Sequence, residues 1–397
     1  MLVTYNVTHK TLKTLSMGLR MENRKLGKTG IKTSILGFGA MRLPTLKVGE
    51  NAIKHEEAIK IIRKGIDAGI NYVDTAYNYH DDESEIVVGK ALKDGYREKV
   101  TLATKAPVWK DEYNKPEHFE EHLDEQLKKL QVDIIDVYLL HALNEKTWKK
   151  VQNLKLNERA EVAKKEGKIK HLAFSFHDKP EILKEIIESG YFEVMLVQYN
   201  ILDKVNEEMI KLAHDKGLGV VIMGPVGGGR LSGNPPEDMQ DFLTKGRTNL
   251  TDLALRFVWS NPHVSVALSG MGSDEMVVDN LKIASEFKEL DENEKKNVEQ
   301  IAEKVKELTD NLCTSCKYCE PCPNEVAISF IFRSLIYHDV YGDAERAKLY
   351  YSKIGQPDWP PGKQADACIE CGECEPKCPQ KIHIIEQLKK SHKILAG

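Results

Sequence analysis

The sequence predicts an α/β protein in which a closed (β/α)8 TIM barrel is followed by a smaller helical domain. Apolar strand-like runs alternate with amphipathic helix-like stretches eight times between residues 34 and 288. The strand runs are apolar nearly throughout, as parallel strands covered on both faces require. All eight cysteines fall in two short runs after that alternation has stopped. Eight units in this length fit a closed barrel better than an open doubly wound sheet, and no Gly-x-Gly-x-x-Gly follows the first strand.

The elements follow in order. Residues 24–34, RKLGKTGIKTS, predict a short hairpin around Gly27 and Gly30. ILGFGAM is the first barrel strand. HEEAIKIIRKGIDAG follows as a helix, because Ala58, Ile61, Ile62, Gly65 and Ile66 share one face. INYVDTA is the second strand, and ESEIVVGKALKDG a helix ending at Gly95. VTLATKA is the third strand. PEHFEEHLDEQLKKL is a helix with Pro116 at its start and Phe119, Leu123, Leu127 and Leu130 on one face. IIDVYLLHA is the fourth strand. The remaining pairs are KIKHLAFSF with PEILKEIIESG, FEVMLVQYN with NEEMIKLAHDKG, LGVVIMGP with TDLALRFVWSN, and HVSVALSGMG with SDEMVVDNLKIASEF.

Beyond residue 288 a charged amphipathic helix, DENEKKNVEQIAEKVKELTDN, leads into the first cysteine run. Residues 324–350 read as helical, QPDWPPGK as a loop before the second run, and IIEQLKKSHKIL as a closing helix. The expected organisation is an N-terminal extension over 1–20, poorly ordered, a barrel over 21–290 and a helical domain over 291–397. Charged residues make up 30% of the chain and the net charge is −4, a mixed balance that argues against a nucleic-acid partner. No apolar run approaches the roughly 18 residues that span a bilayer, so no membrane partner is expected. The opening MLVTYNVTHKTLKTLSMGLR has no continuous apolar core of the secretory kind. The expected location is the cytoplasm, where clustered cysteines read as metal ligands before disulfides.

Catalytic residues of a barrel sit at the C-terminal ends of its strands. There the second strand ends in VDTAYNY, the third in LATK and the fourth in YLLH. Asp74, Tyr79, Lys105 and His141 are therefore expected to converge at one mouth. A tyrosine has an ordinary pKa near about 10, and a neighbouring ammonium favours its phenolate. An aspartate would hold the lysine, and a histidine could orient a carbonyl oxygen. Each residue by itself could be a satisfied polar group at a strand end. Four of them on three successive strand ends are harder to explain that way.

At these residues the sequence resembles the aldo-keto reductase family, over roughly 21–290. RKLGKTGIKTSILGFGAM looks like that family's opening hairpin and first strand, and the D-T-A-x-x-Y spacing is intact. The resemblance implies a nicotinamide-dependent carbonyl reductase or alcohol dehydrogenase acting on a small carbonyl or alcohol substrate. It makes Tyr79 the general acid, Lys105 its modulator, Asp74 the partner of Lys105 and His141 the substrate orienter. The implied cofactor residues are Gly39, Ser175, Gln198, Met223, Pro225, Gly227, Gly270, Gly272, Ser273 and Asn280. Ser175 and Gln198 match the family's carboxamide pair. Phe176 stands where that family usually has Asn, Met223 where an aromatic ring stacks, and Asp279 where a Glu is usual. The arginine for a 2′-phosphate would fall at Met276, so NADH and NADPH both stay open. Trp109, Tyr113 and Trp148 are read as loop residues that could line a substrate pocket or pack ordinarily. His80, Asp81 and Asp82 could hold a metal or form a solvated loop.

The cysteine runs are CTSCKYCEPCP and CIECGECEPKCP. Three cysteines at x2 spacing followed by a Cys-Pro is the pattern of [4Fe–4S] ligands, and in two-cluster ferredoxins the fourth cysteine of each run serves the other cluster. On that pattern Cys313, Cys316 and Cys319 with Cys378 hold one cluster, and Cys368, Cys371 and Cys374 with Cys322 the other. The x2 spacing before Cys322 departs from the usual x3. Two zinc ions are the rival reading. The tail also resembles the ferredoxin-like extension of a subgroup of aldo-keto reductases, PQKIHIIEQL included, and implies an α-helical ferredoxin-like iron–sulfur domain. Hydride transfer moves two electrons and a cluster one, so three roles stand open. The clusters could be structural, they could pass electrons from an external ferredoxin or other carrier, or the chain could be a redox-sensing module.

Overall fold

The computed structural model describes residues 21–46, 51–232, 249–308, 313, 315–357 and 359–397. The expected N-terminal extension, 1–20, lies outside the described residues. Strands β1 (Asn23–Lys25) and β2 (Lys32–Ser34) pair antiparallel as the expected hairpin. Gly27 turns it at φ +56, and a Cβ there would stand 2.3 Å from the backbone nitrogen of Gly219. Only glycine permits that approach. It presses Leu26, fully buried, into the base of the barrel among Tyr72, Val137 and Val221.

Eight parallel strands form the barrel: β3 (Leu36–Gly39), β4 (Tyr72–Asp74), β5 (Thr101–Ala106), β6 (Ile135–Leu143), β7 (Ile169–Phe176), β8 (Val194–Gln198), β9 (Gly219–Met223) and β10 (Val266–Ser269). Each neighbours the next, and β10 pairs with both β9 and β3 to close the ring. Around it, in chain order, run α1 (His55–Asp67), α2 (Ser84–Ala91), α3 (His118–Leu130), α4 (Glu145–Asn153), α5 (Leu156–Lys165), α6 (Pro180–Glu188), α7 (Glu207–Lys216), α8 (Leu250–Trp259) and α9 (Asp274–Ser285). One core fills the barrel and a larger one lies between sheet and helices.

Helices α4 and α5 were not among the elements expected from the sequence. A local signal for α4 exists. Asn144 Oδ1 accepts from Thr147 N–H at 2.9 Å, and Thr147 Oγ1 accepts from Asn144 N–H at 2.8 Å, a reciprocal cap. This corrects the placing of Trp148 in a loop and bears out ordinary packing rather than a pocket. It lies on α4, buried, with its indole N–H donated to Glu185 at 2.7 Å. Tyr113 is likewise fully buried, against His118 and His122.

The tail is helical, with α10 (Glu292–Leu308), α11 (Ile328–Asp339), α12 (Ala344–Ser352) and α13 (Ile384–Leu395). The helical stretch expected over 324–350 divides at Gly342, φ +63, after which Asp343 caps α12. Helix α10 buries Val298, Ile301 and Val305 between Leu250 and Leu253 of α8 and Ile336 and Val340 nearby, so it fastens tail to barrel. A separate core of the tail gathers Phe330, Ile331, Leu335, Ile384 and Leu388 with cysteines of both runs. No helix among the described residues is long and apolar enough to cross a membrane.

Candidate active site and cluster sites

Adjacent strands β4, β5 and β6 carry Asp74, Lys105 and His141 to the same end of the barrel. The Lys105 ammonium donates to Asp74 Oδ1 and to the Thr75 carbonyl, both at 2.6 Å, and the two charged side chains are 1% and 3% exposed. Tyr79 lies in the turn before α2, with Lys105 Nζ 4.6 Å from its ring centroid. The His141 ring stands edge-on to Tyr79, centroids 6.0 Å apart. The structure thus brings all four residues together. Just past His141 the register of β6 slips, Ala142 takes φ +56, and its N–H is donated to Ser175 Oγ at 2.8 Å. Such an irregularity re-aims the side chains beside it.

Burial dominates the ionisation here. It pushes Asp74 up and Lys105 down, each opposed by the attraction of the other. It holds His141 well below the ordinary imidazole range, with Lys105 and His177 adding, so the ring is neutral at pH 7. It raises Tyr79 well above its ordinary value, with Asp74 and Cys316 adding and Arg42 opposing. The expected depression of Tyr79 by Lys105 is not found in this arrangement. The ammonium spends its protons on Asp74 and Thr75 and faces the ring rather than the hydroxyl.

The expected cofactor residues divide. Ser175, Gln198 and Met223 end β7, β8 and β9 on one side of the mouth. Gly227 opens a turn, Gly227–Gly229, in which three successive residues have positive φ, with Pro225 buried just before it. Gly39 ends β3 in register with Asp74. Gly270 and Gly272 admit Arg42 in this structure: an added Cβ would meet the Arg42 side chain at 3.0 Å and its carbonyl at 2.9 Å. Ser273 caps α9, accepting from Met276 N–H at 3.3 Å. Asn280 is turned inward, donating to Ser269 Oγ at 2.8 Å. The His80–Asp82 turn holds no metal site, since His80 Nε2 accepts from Leu43 N–H at 3.1 Å and its Nδ1 bonds the Asn51 carbonyl at 2.8 Å.

The cysteines form two groups that cross the runs. Cys313, Cys316, Cys319 and Cys378 line one cavity, closed by Phe332, Ile382 and Ile384. Cys322, Cys368 and Cys374 make up a second neighbourhood, where burial pushes the Cys374 thiol up to about 11 and Cys368 and Cys322 add. No disulfide joins any of them. Burial pushes Cys313 up to about 12, with Cys316 and Cys378 adding. Thiols packed this way ionise together only around a cation. Four thiolates about 2.3 Å from one zinc would lie about 3.8 Å apart. Among the described residues the group of metal-binding type with ligand atoms within 4.8 Å of one another is His214, Asp215 and His263, near the barrel's opposite end, and no cysteine belongs to it. Four thiols around one cavity offer the donor set of a zinc ion or of a cubane of irons and sulfides.

The tail closes over the barrel mouth, and nothing in the sequence had indicated the contacts that do it. The Tyr318 hydroxyl meets His141 Nε2 at 3.1 Å. The side-chain amides of Gln380 and Gln198 exchange hydrogen bonds at 3.2 and 3.3 Å. Arg42 donates to the Ser315 carbonyl at 3.2 Å, Lys317 to Asn51 at 2.8 Å and Lys381 to Asp178 at 3.3 Å. Between tail and barrel remains a cavity of about 1780 Å³ lined by Tyr79, Trp109 and His177 below and Cys316, Tyr318 and Pro379 above. Tyr318 falls between two cysteines, where spacing makes no demand on residue type.

Comparison with known proteins agrees with this geometry. The sequence profile of the aldo/keto reductase family matches residues 35–303, and that of a 4Fe-4S dicluster domain matches 312–383. L-galactose dehydrogenase of Arabidopsis thaliana is 27% identical over 314 residues, 73% of this chain and 97% of that protein. NADH-specific methylglyoxal reductase of Escherichia coli (strain K12) is 30% identical over 239 residues, 55% of this chain and 71% of that one. The holo form of aldo-keto reductase AKR11C1 from Bacillus halodurans superposes with a TM-score of 0.60 at 30% identity, covering 71% of this chain and 96% of that chain. Barrel, strand-end residues and profile converge: the chain belongs to the aldo/keto reductase family, as an oxidoreductase that carries a 4Fe-4S domain in its tail.

Proposed function

We propose that the chain reduces an aldehyde or ketone, or oxidises the corresponding alcohol, with NADH or NADPH, and that its tail holds two [4Fe–4S] clusters. The observation that carries the reading is the buried Lys105–Asp74 pair beside Tyr79 and His141. A bound reduced nicotinamide supplies a hydride. Tyr79, kept protonated by burial, gives its hydroxyl proton to the carbonyl oxygen. Lys105, fixed by Asp74, lies against the Tyr79 ring and holds its face in place. Neutral His141 holds the oxygen through Nε2. Gln198 fits a primary amide, and the Gln380 side chain is one: its carboxamide stands in for that of nicotinamide. The two similar enzymes named for a methylglyoxal and a sugar support a small carbonyl or alcohol as substrate. Eight cysteines without a disulfide suit a reducing compartment, and the cytoplasm is the proposed location.

Two tests apply. Anaerobically purified protein is expected to hold about eight irons per chain, whereas stoichiometric zinc would remove the cluster reading. Gln380→Ala is expected to tighten NADH or NADPH binding by roughly tenfold in a fluorescence titration. Two amide hydrogen bonds at about 0.5–1.5 kcal/mol each no longer compete for Gln198. Unchanged affinity would mean that nicotinamide does not use Gln198.

A second reading rests on Cys316 lining the same cavity as Tyr79. Reducing a carbonyl to an alcohol takes two electrons and two protons. The two clusters would pass one electron each, resupplied by a reduced ferredoxin-like carrier. Turnover with reduced ferredoxin and no nicotinamide is the result that favours it, and strict dependence on NAD(P)H the result that removes it.

A further inference from the structure

The barrel sends two arginines toward the tail's first cysteine group. Arg230 follows the Gly227–Gly229 turn and is 2% exposed. Its Nε–H is donated to the Gly227 carbonyl at 3.0 Å, and its Nη1 has no hydrogen-bond partner. A guanidinium in that position is costly unless an anion lies beside it. Among acidic groups Cys313 acts on it most strongly, ahead of Asp203. Arg42 approaches from the loop after β3. It donates to the Ser315 carbonyl at 3.2 Å, and Ser315 N–H is donated to Cys313 Sγ at 3.3 Å. Cys316 and Cys313 are its leading acidic neighbours.

The first group has one carboxylate in its run, Glu320 beside Cys319, and the second has three. Glu370, Glu373 and Glu375 are interleaved with Cys371 and Cys374. Cys371 and Ile369 there are exposed, Ile369 at 65%. A cubane held by four thiolates is an anion in both oxidation states and gains one more negative charge on reduction. Fixed positive charge nearby makes that reduction easier, and carboxylates make it harder.

We propose that Arg42 and Arg230 are the charge partners of the first cluster, and that through them the barrel raises its reduction potential above that of the second. The proposal rests on the two-cluster reading. It gives the tail a direction. An electron given up by a reduced ferredoxin-like carrier, which is thereby oxidised, enters at the exposed second run and moves downhill to the cluster beside Tyr79, and the paired arginines hold the tail against the mouth more firmly once that cluster is reduced.

The test is a potentiometric titration of the full, anaerobically prepared chain, followed by the electron paramagnetic resonance of the reduced clusters. The wild type is expected to show two midpoints. Arg230→Gln and Arg42→Gln should each make the higher one harder to reduce by roughly tenfold, a shift of about 59 mV for one electron. The lower midpoint and the iron content should stay unchanged, and Arg230→Lys should restore most of the shift. Equal displacement of both midpoints, or none in either glutamine variant at full iron content, overturns the proposal. A wild type with only four irons and one midpoint would remove the two-cluster reading itself, a different and separately visible failure.

Discussion

Tyr79→Phe is expected to lower carbonyl turnover by about 10²–10⁴-fold, the usual contribution of a positioned general acid, while iron content and nicotinamide affinity stay at wild-type values. The substitution removes one oxygen and keeps the ring, so the packing of a side chain that is 9% exposed and the face presented to Lys105 are preserved. Lys105→Ala would be a poorer test. It strands Asp74 in a buried site, at a cost of about 3–5 kcal/mol, and a loss of activity could then report unfolding. Direction of reaction supplies a second readout. Because the Tyr79 hydroxyl is held well above its ordinary pKa, the protonated donor persists through neutral pH. The reduction rate should be flat between about pH 6 and 8, while alcohol oxidation, which needs the deprotonated form, should climb with pH. Phenylalanine should abolish both profiles. Turnover within a factor of two or three of wild type would take Tyr79 out of the chemistry and leave the barrel as a scaffold for the clusters.

What could be read in advance depended on whether a feature is periodic or long-range. The eight strands announce themselves as apolar runs because both faces are covered. Parallel closure then makes neighbours of Asp74, Lys105 and His141 without any further information. Helix α13 was visible from its one-sided apolar pattern. Helix α4 was missed because its short, charged segment carries only Trp148 and Val151 inward, and its signal is the Asn144–Thr147 cap. The contacts of the tail with the mouth follow no period. Tyr318 and His141 are 177 residues apart, and Gln198 and Gln380 are 182 apart. Nothing local in either segment specifies such a meeting. The same limit hid Arg42 and Arg230, which look ordinary until the fold half-buries the first and buries the second near the cysteines.

The crossing of ligands between the runs gives the other large effect. Cys378→Ala alters the second run, yet it is expected to abolish the first cluster, because Cys378 shares its cavity with Cys313, Cys316 and Cys319. Iron should fall from about eight to about four per chain, and the surviving midpoint should match that of Cys313→Ala rather than Cys368→Ala. Cys322→Ala should do the reverse, leaving a chain that resembles Cys368→Ala. The short spacing before Cys322 does not prevent this. Cys368 and Cys322 are the cysteines that act on Cys374 across the tail core. The consequence extends to the barrel. Gln380 follows Cys378 by two residues and holds Gln198, so losing the first cluster loosens one hold of the tail on the side of the mouth where we propose that nicotinamide binds. Cys378→Ala should therefore bind nicotinamide more tightly than wild type, and Cys322→Ala should not. If instead Cys378→Ala and Cys368→Ala share one surviving midpoint, each run closes its own cluster. The mouth would then be covered by a cluster built from a single loop.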